Sequence, residues 1–203
     1  MHIAILTFQG FNELDSFIAL GVLNRVKAPD WRVTICCPEP TVTSMNGVTV
    51  HAQSTLAEAR SADAVIVGSG IQTRQVVNDQ SIMSQLQLDP SRQLIAAQCS
   101  GTLVLAKLGL LESVPACTDL TTKPWVLEAG VDVLHQPFFA RGNVATAAGC
   151  FASPYLAAWI IARTKGENAA REALHYVAPV GEKDGYVTQA MRNLTPYLVG
   201  VAK

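Results

Sequence analysis

Residues 94–111 read LIAAQCSGTLVLAKLGLL, an apolar run that is interrupted at Gln98, Cys99, Ser100 and Gly101 and resumes with a different periodicity. The segment before the interruption is short and continuously apolar, as in a strand buried on both faces; the segment after it is apolar nearly all round and long enough for a buried helix. The sequence therefore predicts a strand that hands over to a helix at Cys99. Outward from this joint the same grammar recurs. HIAILTF (2–8), RVTICC (32–37), DAVIVG (63–68) and QLIAAQ (93–98) are strand-like runs. Between them, Leu14, Phe17, Ile18, Gly21 and Val22 fall at helical spacing, and residues 72–88 carry a weaker polar helix. Alternating strands and helices predict an α/β fold: a doubly wound, mostly parallel sheet sandwiched by helices.

Two hairpins are expected as small antiparallel excursions from that sheet. TVTSMNGVTVHA (41–52) turns at Asn46-Gly47, and FFARGNVATAAG (138–149) turns around Arg141-Gly142-Asn143. SPYLAAWIIART (153–164) reads as a helix capped by Ser153 with Pro154 at its first position, followed by a helix at ENAAREALHYV (167–177). Residues 184–198 predict one more helix, stopped near Pro196. There is no internal repeat, low-complexity linker or composition break, so residues 1–203 are expected to form a single domain.

Composition narrows the function classes. Lys plus Arg is 15 and Asp plus Glu is 16, with no basic block to follow a phosphate backbone, so no nucleic-acid partner is expected. No cationic leader precedes an apolar segment, and no run reaches the ~18 apolar residues of a membrane helix, which predicts a cytoplasmic protein without a membrane partner. The five cysteines, Cys36, Cys37, Cys99, Cys117 and Cys150, are odd in number and lack CxxC spacing. Reduced thiols fit them better than a disulfide frame or a zinc site, and no metal or other cofactor is expected.

Cys99 has two readings. Free cysteine is commonly a small buried hydrophobe. At a strand-to-helix turn, with Gly101 allowing a tight bend and small Ala97 before it, the same residue has the layout of a nucleophile elbow, and a helix N-terminus would lower the thiol pKa. Asp15 is similarly double: with Asn12 it reads as a capping pair, and a carboxylate in a first turn needs no catalytic role.

AAQCSGTLVLAKLGLL resembles the elbow and following helix of the ThiJ/PfpI (DJ-one) superfamily, and most of all its isocyanide hydratase branch, where a small hydroxyl residue and glycine follow the nucleophile. TFQGFNELDSFIALGVL (7–23), AVIVGSGIQ (64–72), PACTDLTTKPWVLEAGVDV (115–133) and GNVATAAGCFASPYLAAWIIA (142–162) are similar to other family segments, so the resemblance extends to about residue 177. It implies a flavodoxin-like, class I glutamine amidotransferase-like fold and a homodimer. It places Asp15 beside Cys99, with Glu13 as second choice. It also implies that Gly68, Ser69 and Gly70, with the Ser100 amide, bind substrate and stabilise developing charge. GSG by itself is a weak signal, and Thr73 stands at the third glycine position of a dinucleotide fingerprint.

The departures from the family pattern matter as much. Ser100 stands where amidase-like and peptidase-like members carry histidine, and Asp119 stands at another common histidine position, which argues against proteolysis. Cys150 and Phe151 occupy the position of a pocket wall, Cys150 being read either as a resolving thiol or as a buried structural residue. Cys36, Cys37 and Cys117 are read as core; Trp31, Trp125, Trp159 and Tyr155 as core or wall. The resemblance implies a cysteine-nucleophile enzyme acting on a small-molecule electrophile: hydration of an isocyanide to an N-formamide, with Cys99 attacking the terminal carbon and Asp15 supplying the nitrogen proton. The alternative is a redox or stress-response protein whose Cys99 is oxidised to sulfinic acid without turnover; a regulator's ligand-binding domain ranks last.

Overall fold

The computed structural model describes residues 1–198; residues 199–203 of the expected 1–203 domain lie outside the described residues. Nine strands are described: β1 (His2–Leu6), β2 (Arg32–Cys37), β3 (Thr41–Thr43), β4 (Thr49–His51), β5 (Ser54–Thr55), β6 (Ala64–Val67), β7 (Leu94–Gln98), β8 (Phe138–Arg141) and β9 (Val144–Ala147). The helices are α1 (Glu13–Leu23), α2 (Leu56–Ala59), α3 (Thr73–Asn78), α4 (Gln80–Met83), α5 (Gly101–Lys107), α6 (Lys123–Glu128), α7 (Ser153–Lys165), α8 (Glu167–Val177) and α9 (Lys183–Leu194).

The sheet runs β5-β2-β1-β6-β7-β9-β8, with every neighbouring pair parallel except β8 and β9. Its five principal parallel strands follow the flavodoxin-like doubly wound order, whose crevice opens beyond the strand carboxyl ends where the winding reverses, between β1 and β6. Strand pleat divides each apolar run between two cores. Ile3, Ile5 and Ile66 face one side with residues of α1, α7, α8 and α9; Ala4, Leu6, Val65 and Val67 face the other with residues of α2, α3, α5 and α6. A strand buried on both faces has no polar side to show, which is why these runs read as continuously apolar.

Several expectations change. The 41–52 hairpin is a separate two-stranded excursion, β3-β4, but the 138–149 hairpin is the edge of the main sheet, because β9 finds a parallel partner in β7. The expected helix at 72–88 is two short ones, divided at Asp79, whose side chain accepts from Ser81 N–H and Ile82 N–H and so restarts the chain as an N-cap. The helix from Gly101 ends at Lys107, followed by Gly109 in a left-handed conformation, φ 74°. Ser153 is the first residue of α7 rather than its cap; its hydroxyl donates to the Asp15 carbonyl at 2.5 Å, tying α7 to α1.

Gly101 also serves a different purpose from the one expected. A Cβ there would lie 2.4 Å from the Val67 carbonyl oxygen and 2.9 Å from that of Gly68, so it is glycine because α5 starts directly against the end of β6. Gly101→Ala is expected to destabilise the fold by about 2–3 kcal/mol, since backbone must move to admit a methyl group; urea denaturation measures it, and unchanged stability would contradict the packing.

Candidate active site

The site is centred on the three loops that follow β1, β6 and β7 and is closed by the segments after α5 and β9. The first two are joined backbone to backbone: Asn12 N–H donates to Ser69 O at 2.7 Å and Ile71 N–H to Gly10 O at 3.0 Å. A Cβ at Gly70 would meet Gly10 O at 2.6 Å, so this approach also requires glycine. Asn12 caps α1 alone, its Oδ1 accepting from Leu14 N–H at 3.1 Å. That corrects the capping-pair reading and leaves the Asp15 carboxyl to turn inward, where it is buried. Ser69 Oγ donates to Asp15 Oδ2 at 2.6 Å and Ser16 Oγ to Oδ1 at 3.4 Å. Glu13 instead turns toward Ser44 and Asn46 of the β3-β4 turn.

Cys99 occupies the turn between β7 and α5 with φ 45°, a left-handed conformation that is strained for a residue bearing a Cβ. Three contacts hold it there. Its N–H donates to Ala147 O at 2.8 Å, its carbonyl accepts from Thr118 Oγ1 at 2.8 Å, and Gln98 Nε2 donates to its sulfur at 3.3 Å. Ser100 next to it acts as a latch: its Oγ accepts from Gly70 N–H at 3.0 Å and lies 2.7 Å from Thr73 Oγ1. The Gly70 amide is therefore already used, and Gly68 N–H is bound to Leu6 O. The expectation that the whole Gly68-Ser69-Gly70 turn offers its amides to substrate narrows to two groups. The amides of Ser69 and Ser100 have no acceptor among the described residues, and both residues line the cavity.

That cavity, about 380 Å³, is bordered by Cys99, Asn12, Asp119 and Cys150, with Ile71 and Trp125 as apolar wall. Asp119 Oδ1 accepts from Thr121 and Thr122 N–H, whereas buried Oδ2 has no partner among the described residues. None of His2, His51, His135 and His175 borders it. Phe151 does not form the wall expected of it: it is 79% exposed and points away, because the short helical turn at residues 150–152 directs its neighbour Cys150 inward instead. Cys150 is correspondingly half-buried at the cavity rather than a core residue, while Cys36, Cys37 and Cys117 are buried as expected. Trp159 is core. A wider hollow of about 550 Å³ lies along α8 and α9, bordered by Arg171, His175 and Asp184, away from these groups.

The Asp15 carboxyl, Cys99 Sγ and Cys150 Sγ lie within 4.8 Å of one another. Two thiols and a carboxylate at this spacing could hold a thiophilic divalent cation such as zinc. Burial raises the Asp15 pKa to about 6, against the hydrogen bonds from Ser69 and Ser16 that lower it. Burial, then the charge of Asp15, pushes the Cys99 thiol up to about 12, against the Gln98 amide that lowers it. The direction is thus opposite to that expected of a thiol at a helix end, because desolvation beside a carboxylate disfavours the thiolate. At neutral pH the pair holds one proton, on sulfur, and the charge rests on Asp15.

The family model described as the DJ-1/PfpI family matches residues 1–163. No curated relative matches the sequence. Solved structures with similar folds include a ThiJ/PfpI family protein from Pseudomonas syringae, with TM-score 0.77, 18% identity, and coverage of 98% of this chain and 90% of that one. A DJ-1 superfamily protein from Salmonella typhimurium, solved as a cysteine-to-alanine mutant, gives TM-score 0.74, 23% identity, and coverage of 87% and 97%. Toxoplasma gondii DJ-1, oxidized, gives TM-score 0.74, 17% identity, and coverage of 87% and 97%.

Two measurements test this geometry. Below pH 3.8 Asp15 is protonated in both folded and unfolded chains; between 3.8 and about 6 only the folded chain keeps the proton, so stability falls as pH rises across that window and stays reduced above it. Asp15→Asn is expected to recover up to roughly 3 kcal/mol at pH 7 and to lose that advantage in acid. At the elbow, Cys99→Gly is expected to be more stable than Cys99→Ala by roughly 1 kcal/mol, because both lack the thiol and only alanine keeps the strained Cβ.

Proposed function

The chain belongs to the DJ-1/PfpI family, and from that premise we propose that it is a cysteine-nucleophile enzyme acting on a small electrophile, with hydration of an isocyanide to an N-formamide as its reaction. The observation that carries this reading is the placing of the Asp15 carboxyl within 4.8 Å of Cys99 Sγ, beside a cavity that no histidine borders. A linear, weakly polar isocyanide suits about 380 Å³ of space walled by Ile71 and Trp125.

The charges suggest a base-assisted attack rather than a resting thiolate. Asp15, ionised at neutral pH, takes the thiol proton as sulfur bonds to the terminal isocyanide carbon; that carbon takes the proton and a thioimidate results. Water then adds to the same carbon, with Asp15 accepting its proton and delivering one to nitrogen. The carbon–sulfur bond breaks, Cys99 recovers its proton, and an N-formamide leaves. The free amides of Ser69 and Ser100 are suited to stabilise developing negative charge, and Asp119, with one unpartnered oxygen, to orient the water. No cofactor is required by this sequence of steps.

A cytoplasmic setting belongs to this reading, in keeping with five cysteines that are odd in number and lack CxxC spacing; among the described residues no helix is long and apolar enough to cross a membrane. Exposed Leu14, Ile71 and Phe151 beside the site give a second copy apolar surface to cover, which favours a homodimer. A second reading, oxidation of Cys99 to sulfinic acid as a signal without turnover, draws support from the oxidized form of the Toxoplasma gondii relative.

The test is formamide production from aliphatic and aromatic isocyanides. Cys99→Ala should abolish it and Asp15→Asn should reduce kcat by about 100-fold or more. The wild-type rate should rise with pH through about 6 as Asp15 ionises, an inflection missing from Asp15→Asn. Equal rates in the three proteins would overturn the mechanism. Selective addition of two oxygen atoms at Cys99 under mild peroxide, with no turnover of any electrophile, would favour the signalling reading.

A further inference from the structure

We propose that Cys99 and Cys150 form a two-cysteine couple that reduces hydroperoxides through a reversible intramolecular disulfide. The inference rests on the reactivity assigned to Cys99 above, but needs neither isocyanide chemistry nor a terminal sulfinic acid.

Three observations place a second thiol where it can react. The two sulfurs lie within 4.8 Å of one another at the same cavity. Gln98 ties the segments that carry them together, because one Nε2 donates both to Cys99 Sγ at 3.3 Å and to Gly149 O at 2.8 Å, the residue just before Cys150. Each sulfur also accepts from its own carboxamide, Gln98 for Cys99 and Asn12 Nδ2 at 3.2 Å for Cys150, so each has a donor suited to stabilise developing thiolate. Closing the gap from at most 4.8 Å to the ~2 Å of a disulfide asks for side-chain rotation and a small shift of the half-buried 150–152 turn. Cys36, Cys37 and Cys117 are all fully buried, and none borders the cavity, so they do not compete.

The chemistry balances with a hydroperoxide as oxidant and an external dithiol as reductant. Cys99 sulfur, giving its proton to Asp15, attacks one peroxide oxygen; a sulfur–oxygen bond forms, the oxygen–oxygen bond breaks, and the leaving alkoxide or hydroxide takes the proton from Asp15. The product is Cys99 sulfenic acid plus one alcohol or water. Cys150 sulfur then attacks Cys99 sulfur, a disulfide forms, and the hydroxyl leaves as water with the Cys150 proton. Two thiols supply the two electrons that the peroxide accepts, and a dithiol returns them by exchange. Because Cys150 intercepts the sulfenic acid, Cys99 is kept from the irreversible sulfinic state while Cys150 is present.

The experiment is a titration of the reduced full chain with hydrogen peroxide and with cumene hydroperoxide, followed by thiol counting and peptide mapping without reductant. The expected result is loss of two thiols and two hydrogens, a cross-link between the Cys99 and Cys150 peptides, full reversal by dithiothreitol, and catalytic peroxide consumption when dithiothreitol is supplied. Cys150→Ser and Cys150→Ala should instead gain two oxygens at Cys99. Wild type that acquires sulfinic acid as readily as these variants, or a cross-link to any other cysteine, would overturn the proposal. Iodoacetamide labelling of the reduced protein separates the two levels. If Cys99 labels but forms no disulfide, the couple fails alone; if Cys99 neither labels nor oxidises, the reading of Cys99 as a nucleophile fails and the couple with it.

Discussion

The carbonyls of Val67 and Gly68 press against Gly101 so closely that no side chain fits between them, and much of the site follows from that contact. It brings the start of α5 onto the end of β6, which puts the residues after β6 beside those after β7. Ser100 then reaches Gly70 and Thr73, and the chain between β7 and α5 passes through Cys99 in a left-handed turn. The strain of that turn is held by two bonds, from the Cys99 N–H to Ala147 O on a neighbouring strand and from Thr118 Oγ1, on the loop beyond α5, to the Cys99 carbonyl. Backbone bonds on both sides of the residue hold a strained turn of this kind in place, as a reacting atom needs.

Electrostatics inside this frame differ from those of an elbow that relies on its helix. Asp15 and Cys99 are both withdrawn from water, and two negative charges within 4.8 Å are too costly to keep. The result is a single proton on sulfur and a single charge on Asp15, with serine hydroxyls holding the carboxylate and an amide donor beside the sulfur. The same burial that costs stability makes the carboxylate a competent base near neutrality, a common exchange of stability for function.

The strands and the elbow were legible because each leaves a local signature. LIAAQ, AVIV and HIAIL are apolar on both faces, and the change of periodicity at Cys99 marks the joint. The misread features depend on partners distant in sequence. Whether the 138–149 hairpin stood apart or joined the sheet was decided by β7, whose residues pair with β9 as Ile95 with Val144 through Gln98 with Ala147. Ser153 has the composition of a cap, yet its hydroxyl serves the Asp15 carbonyl 138 residues away. Cys150 and Phe151 are adjacent, and which of the two faces the cavity depends on a turn of three residues that has no periodicity to read.

The alternation of buried strands and helices, the position of the elbow, and the absence of histidine next to its cysteine can all be read from local patterning, because hydrophobic period and residue identity are properties of neighbours along the chain. Which groups meet at that elbow is set by the folded chain. It turned Asp15 inward by giving the capping task to Asn12, spent the Gly70 amide on Ser100, raised the thiol pKa where a helix end alone would have lowered it, and set Cys150 against Cys99. Each of these depends on burial and on contacts between segments far apart in the chain, and neither is encoded at any one stretch of it.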